Sequence, residues 1–280
     1  RNRALTLPPV KKIAMQHGLT VLQPSSLKIE NRKFKLYDAD LFIVAAYGKL
    51  IPREILDMPR FGALNIHPAL LPRWRGPSPI QFTILNGDAQ TGVTIIKMDE
   101  RMDHGPLLAQ REVGISKLQI TNYKPTYEEL HDRLAGLGAE LLIETLPKWI
   151  NGEITPAPQD ESKATYSKLL TKADGRIDWS KPAEEIERMV RAFSPWPGTW
   201  TTWPQNEKSL RIRITEADWT DDARARGVPG LVWQDAARPL CVMSGRGSII
   251  IKSLGIEGKR LLDAPSFIRG YPQLIGAVLY

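Results

Sequence analysis

Leu41-Phe42-Ile43-Val44-Ala45-Ala46, closed by Tyr47-Gly48, decides the fold of this 280-residue chain. An unbroken apolar run has no polar face, so it suits a strand covered on both sides, as in a parallel sheet flanked by helices. It is far shorter than the ~20 residues that a bilayer-spanning helix needs.

Upstream, Val10, Ile13 and Ala14 follow Pro8-Pro9 at helical spacing and predict a helix ending at Gly18. A short strand over Leu19–Leu22 and a second helix near Lys28–Leu36 come next. Downstream, the pattern gives a helix over Ile51–Met58 opened by Pro52, a strand over Gly62–His67, a helix over Ser78–Leu85 and a strand over Gly92–Met98. Leu130, Leu134, Leu137, Leu141, Leu142 and Leu146 then line one face of a long helix over Tyr127–Trp149. Strands alternating with helices predict an α/β domain over residues 1–150 built on a mostly parallel sheet.

The pattern stops at Asn151–Lys163, a polar stretch holding Pro156 and Pro158 that reads as a linker over 151–163. A helix over Pro182–Phe193, capped by Ser180, opens the remainder, 164–280. Short strands over Leu210–Thr215, Gly230–Trp233, Leu240–Met243 and Ser248–Leu254 predict a small barrel or sandwich there.

Composition narrows the function. The formal charge of +7, from 38 Lys and Arg against 31 Asp and Glu, favours an anionic partner such as RNA or a phosphorylated substrate. The single cysteine, Cys241, excludes a disulfide framework and cysteine-cluster zinc sites, and is expected to be a small core residue. His17, His67, His104 and His131 lack the spacing of a zinc peptidase, and no phosphate-binding glycine loop occurs. No metal is expected. The opening Arg1-Asn2-Arg3 shows no leader pattern, so a cytoplasmic location, or an organelle matrix, is expected, with the chain a monomer.

The densest polar feature is Asn65-Ile66-His67 followed by Pro68-Ala69-Leu70-Leu71-Pro72-Arg73-Trp74-Arg75-Gly76. Residues two apart on a strand share a face, so Asn65 and His67 point together at a strand's carboxyl end, where α/β sheets bind ligands. An amide and an imidazole side by side suit acyl transfer, with a protonated His67 sharing the oxyanion with Asn65. By itself such a pair equally serves structure. A second loop, Met98 to Gly105, brings Asp103 as a carboxylate that can orient the ring and relay a proton, although Asp99 and Asp103 also suit simple loop caps.

Asn65-x-His67, Leu70-Leu71-Pro72-x-x-Arg75-Gly76, Gly92-Val93-Thr94, Met98 and Asp103-x-Gly105 together resemble the signature of the 10-formyltetrahydrofolate-dependent formyltransferases. Arg176-Ile177-Asp178-Trp179-Ser180 and Arg191-Ala192-Phe193-Ser194-Pro195-Trp196-Pro197-Gly198 resemble the start of the C-terminal domain in the branch that acts on initiator methionyl-tRNA. The resemblance implies a Rossmann-like domain followed by a small OB-like β-barrel that binds tRNA. It implies Asn65, His67 and Asp103 as catalytic residues, and 10-formyltetrahydrofolate as formyl donor. The folate is expected on Ala69, Leu70, Leu71 and Pro72, with Tyr47 and Gly48 lining its pterin pocket. Ala69 stands where the family usually has Ser. The family also implies a strand, helix and strand of roughly 30 residues ahead of Arg1.

The acceptor would be the α-amine of methionine on initiator tRNA, with an amino-sugar nucleotide as the alternative and a tRNA-binding barrel on an inactive domain as a third reading. Arg1 and Arg3 resemble the basic loop that enters the acceptor stem, or form a solvated terminus. Arg211, Arg213, Lys252 and Lys259 are expected on the RNA surface of the barrel. Trp196, Trp200 and Trp203 are expected to pack rather than to stack on bases. Arg73-Trp74-Arg75 suits either RNA contact or support of the folate loop.

Overall fold

A computed structural model describes residues 7–24, 27, 38–115, 124–205, 209–221 and 227–280. Helix α1, Pro9–Gln16, follows the Pro8-Pro9 start and ends before Gly18, which takes the left-handed φ of 66° that a glycine stop allows. Residues 19–22 form no strand, and the helix expected over Lys28–Leu36 lies outside the described residues. Strand β1 is Phe42–Val44, and a single turn of helix, α2, occupies Arg53–Leu56. Strand β2, Ala63–His67, leads through the proline-rich turn to α3, Pro79–Leu85. Strands β3, Gln90–Lys97, and β4, Leu107–Gly114, form a bulged antiparallel hairpin across the loop that carries Asp103.

Helix α4, Tyr127–Ile150, begins with a capping box in which Thr126 and Glu129 satisfy each other's backbone N–H groups. Leu130, Leu134 and Leu141 on its buried face meet Leu64, Val93 and Ile95 from the sheet. At Gly138 the helix comes so close that a Cβ would lie 2.8 Å from Ile66 Cγ2. Ile66 therefore faces the helix, and Asn65 and His67, its neighbours on β2, face the opposite side of the sheet.

The sheet order is β1-β2-β3-β4. The parallel pairing lies between β1 and β2, while β2–β3 and β3–β4 are antiparallel. Among the described residues β1 pairs with β2 alone, and Ile43 is exposed, so the run that reads as covered on both sides is open on one.

The stretch Asn151–Lys163 is hydrogen bonded to the first sheet: Leu107 and Ala157 exchange backbone bonds of 2.7 and 2.9 Å. Just beyond it, Arg75 N–H donates to Thr165 O and Ser167 N–H donates to Arg75 O. Helix α5, Ala183–Phe193, starts without the expected Ser180 cap, because Ser180 bonds to Asp178 instead. It serves two cores: Ile186 and Val190 face the second sheet, while Ala192 and Phe193 join the core of the first.

That second sheet runs β5 (Thr199–Pro204), β6 (Ser209–Thr220), β9 (Ser248–Ile256), β8 (Cys241–Met243), β7 (Val232–Trp233), with β10 (Leu262–Asp263) paired to β9. No ladder of named strands closes it into a barrel among the described residues. The tail after α6 (Ala264–Gly270) spans the gap instead, because Tyr280 exchanges backbone bonds with Thr202 on β5 while Gly276 and Ala277 bond to Val232 on β7.

Candidate active site

The turn after β2 and the loop between β3 and β4 converge at the carboxyl end of β2. Asn65 Nδ2 donates to Asp103 Oδ1 at 3.2 Å, and His67 Nδ1 faces the same oxygen at 3.6 Å. Asp103 Oδ2 accepts from Gly76 N–H at 2.8 Å. Asp103 holds a left-handed φ of 49°, which costs a non-glycine residue about 1 kcal/mol and turns its carboxylate back toward the strand. The structure thus brings the three expected catalytic side chains together.

His67 is 3% exposed, and its Nε2 lies 3.0 Å from Trp74 O. A carbonyl only accepts, so Nε2 carries a hydrogen, and Nδ1 is the ring nitrogen turned toward Asp103. Burial pushes the imidazole pKa below its usual value, against the opposing pull of Asp103 and the Trp74 carbonyl. That direction favours a neutral resting ring, whereas the expectation from sequence concerns a His67 protonated while the oxyanion forms. Asn65 spends one amide hydrogen on Asp103, which leaves the second for a substrate oxygen.

Trp74, at a φ of 58°, is pinned by its N–H to Thr165 Oγ1 and its indole N–H to Asp88, which also binds Arg73 through two bonds. Arg75 is 1% exposed and bonds Gln159 and Glu161. The Arg73-Trp74-Arg75 run therefore supports the turn, with Arg75 closed to RNA.

Ala69, Leu70, Leu71 and Pro72 form a turn with a cis Leu71–Pro72 bond. Thr94 Oγ1 donates to Ala69 O and accepts from Leu71 N–H, while Gln110 Nε2 reaches Leu71 O at 2.7 Å. Sequence reasoning missed Gln110. Tyr47 and Gly48 leave the parallel strand β1 at the same end as His67 and are exposed. Among the described residues no His, Cys, Asp or Glu cluster is arranged to hold a metal ion. The donor set suits a carbonyl oxygen and a proton in transit, which fits a formyl donor.

On the second sheet Arg211 and Arg213 share the outer face of β6. Arg211 lies 4.1 Å above the Trp200 ring and bonds Glu257, and Arg213 bonds Lys259 O. Lys259 reaches the Tyr271 hydroxyl, whereas Lys252 lies away from this group and faces Asp218. Trp203 is buried in the core, Trp200 lies beneath Arg211 and Trp196 is exposed. Arg1 and Arg3 lie outside the described residues.

Comparison with known proteins identifies the family. The family described as formyl transferase matches residues 2–146, and the formyl transferase C-terminal domain matches residues 169–272. A methionyl-tRNA formyltransferase from Roseiflexus castenholzii is 42% identical over 272 residues, covering 96% of this chain and 83% of the relative. Another, from Methylococcus capsulatus, is 42% identical over 273 residues, covering 97% of this chain and 85% of its own. Among solved structures, HypX from Aquifex aeolicus in complex with tetrahydrofolic acid has a TM-score of 0.64 at 20% identity, covering 89% of this chain and 42% of that one. An N-formyltransferase from Helicobacter canadensis, solved with folinic acid and dTDP-3-aminofucose, has a TM-score of 0.60 at 16% identity, covering 86% of this chain and 81% of that one. At those identities the two structures speak for the fold alone.

Proposed function

The chain belongs to the formyl transferase family, and from that premise we propose that it moves a formyl group from 10-formyltetrahydrofolate to the α-amine of methionine on initiator tRNA. The observation that carries this reading is the convergence of Asn65, His67 and Asp103 at one strand end, in a chain that matches both domains of methionyl-tRNA formyltransferases.

The donor supplies a one-carbon group already attached to a nitrogen leaving group. Asn65 gives its second amide hydrogen to the formyl oxygen as negative charge grows there, acting as an oxyanion donor. Asp103 and the neutral Nδ1 of His67 take the proton shed by the attacking amine and return it to the departing nitrogen. The new N–C bond forms as the old one breaks, and one proton passes between the two nitrogens. Ala69, Leu70, Leu71 and Pro72 hold the folate, fixed by Thr94 and Gln110, with Tyr47 and Gly48 at the edge of the pocket. Arg211, Arg213 and Lys259 contact the tRNA backbone, with Lys252 at the margin of that surface and Arg1 and Arg3 reaching the acceptor end. The reaction belongs where initiator tRNA is used, in the cytoplasm or an organelle matrix.

The test offers the enzyme 10-formyltetrahydrofolate with either methionyl initiator tRNA or an amino-sugar nucleotide. Formylated methionyl-tRNA is expected. Formylation of the sugar nucleotide alone replaces this reading, and tRNA binding without release of tetrahydrofolate leaves only a binding module.

A further inference from the structure

Asp103 sits at a φ of 49°, in the left-handed region that costs a non-glycine residue energy and persists where the surroundings hold it. What holds its backbone comes from the stretch between the two sheets. Gln159 Nε2 donates to Asp103 O at 2.9 Å and to Gly105 O at 2.8 Å. Its Oε1 accepts from Arg75 Nε at 3.0 Å and from Nη2 at 2.8 Å. A guanidinium only donates and a carbonyl only accepts, so the amide has one workable orientation and uses its full bonding capacity.

Arg75 is itself fixed. It is buried, bonds Glu161 at 2.7 and 3.1 Å, and its backbone bonds Thr165 and Ser167. The next residue, Gly76, gives its N–H to Asp103 Oδ2. No Cβ fits there, since it would lie 2.4 Å from Ser167 O. Residues 75 and 76 thus grip Asp103 from two sides, the carboxylate directly and the backbone through Gln159.

We propose that Gln159 is a positioning residue for formyl transfer, holding Asp103 where its carboxylate meets both Asn65 and His67. This rests on the activity proposed above. Without the two carbonyl bonds the loop relaxes toward ordinary φ values and the carboxylate moves off its partners, and a displacement near 1 Å costs up to about 100-fold in rate.

The experiment compares wild type with Gln159→Ala, Gln159→Met, which keeps the volume, and Gln159→Glu, which keeps the acceptor for Arg75 but cannot donate to the carbonyls. Each is assayed with methionyl-tRNA and 10-formyltetrahydrofolate well below its unfolding temperature. Expected is a kcat lower by roughly 10- to 100-fold in all three, KM values within about threefold of wild type, and a displaced acid limb of the pH–rate profile. If Gln159→Ala does not fold, the other two decide. A wild-type kcat and pH profile in Gln159→Glu or Gln159→Met, even with a lower unfolding temperature, overturns the proposal and leaves a merely structural role. Inactivity of the wild type toward methionyl-tRNA overturns the proposed function instead.

Discussion

At Asn65 one amide hydrogen is already spent on Asp103 and the other is the one proposed for the formyl oxygen, so truncation removes the proposed oxyanion donor without opening the core. Asn65→Ala should lower kcat by about 10²- to 10³-fold, with KM for either substrate little changed, as steady-state kinetics will show. His67 makes a different, pH-dependent contribution. Its folded-state pKa lies below the ordinary 6.5, so between that lower value and 6.5 the unfolded chain binds more protons than the folded one. Stability is therefore fully present above pH 6.5 and declines as pH falls through that window. Unfolding titrations of wild type and His67→Gln should show the slope in the first and a flatter curve in the second. The three proposed catalytic side chains could be picked out in sequence, and the structure brings them together, because chemistry restricts their types and a strand fixes the phase of Asn65 and His67. Gln110 and Gln159 could not be, because they grip backbone carbonyls 39 and 56 residues away, and any sequence supplies carbonyls.

At the scale of elements, α4 carries two glycines with opposite surroundings. Gly136 is exposed with nothing near its missing Cβ, whereas Gly138 presses on Ile66 behind the catalytic strand. Gly136→Ala should stabilise the fold by about 1 kcal/mol through helix propensity. Gly138→Ala gains the same propensity but must displace Ile66, an overpacking cost of about 1–3 kcal/mol, so it should end less stable than Gly136→Ala in denaturant titrations. Strongly periodic elements such as α4 and the apolar β3 were readable from sequence. Strand β4 was missed because Gln110, Arg111 and Glu112 interrupt its alternation, the partners of the first two being Leu71 and Glu144 on α4. Strand β5 was missed although its threonines and tryptophans favour strands, because the prolines on both sides draw the stretch toward a turn. The stretch Asn151–Lys163 reads as polar linker because Gln159 and Glu161 are polar, yet their partner is the buried Arg75, which no local pattern shows.

Across the whole molecule the first sheet carries the proposed reacting groups and the second the proposed tRNA-binding cations. Because phosphate contacts release counterions, tRNA affinity should fall steeply with salt while the KM for folate stays nearly constant. Arg211→Ala, Arg213→Ala and Lys259→Ala should raise the KM for tRNA and each flatten the salt slope by up to about one unit. The central claim is that the site gathered at Asp103 performs formyl transfer to methionyl-tRNA. Its most direct test is single-turnover transfer of labelled formyl from 10-formyltetrahydrofolate to methionyl initiator tRNA by wild type and by Asp103→Asn, an isosteric change that keeps the loop but removes the carboxylate from the proposed proton path through Asp103 and His67. A wild type that formylates the tRNA and a variant slower by about 100-fold or more, with an unchanged circular dichroism spectrum, is predicted. A folded Asp103→Asn protein within a few-fold of the wild-type rate would contradict the account.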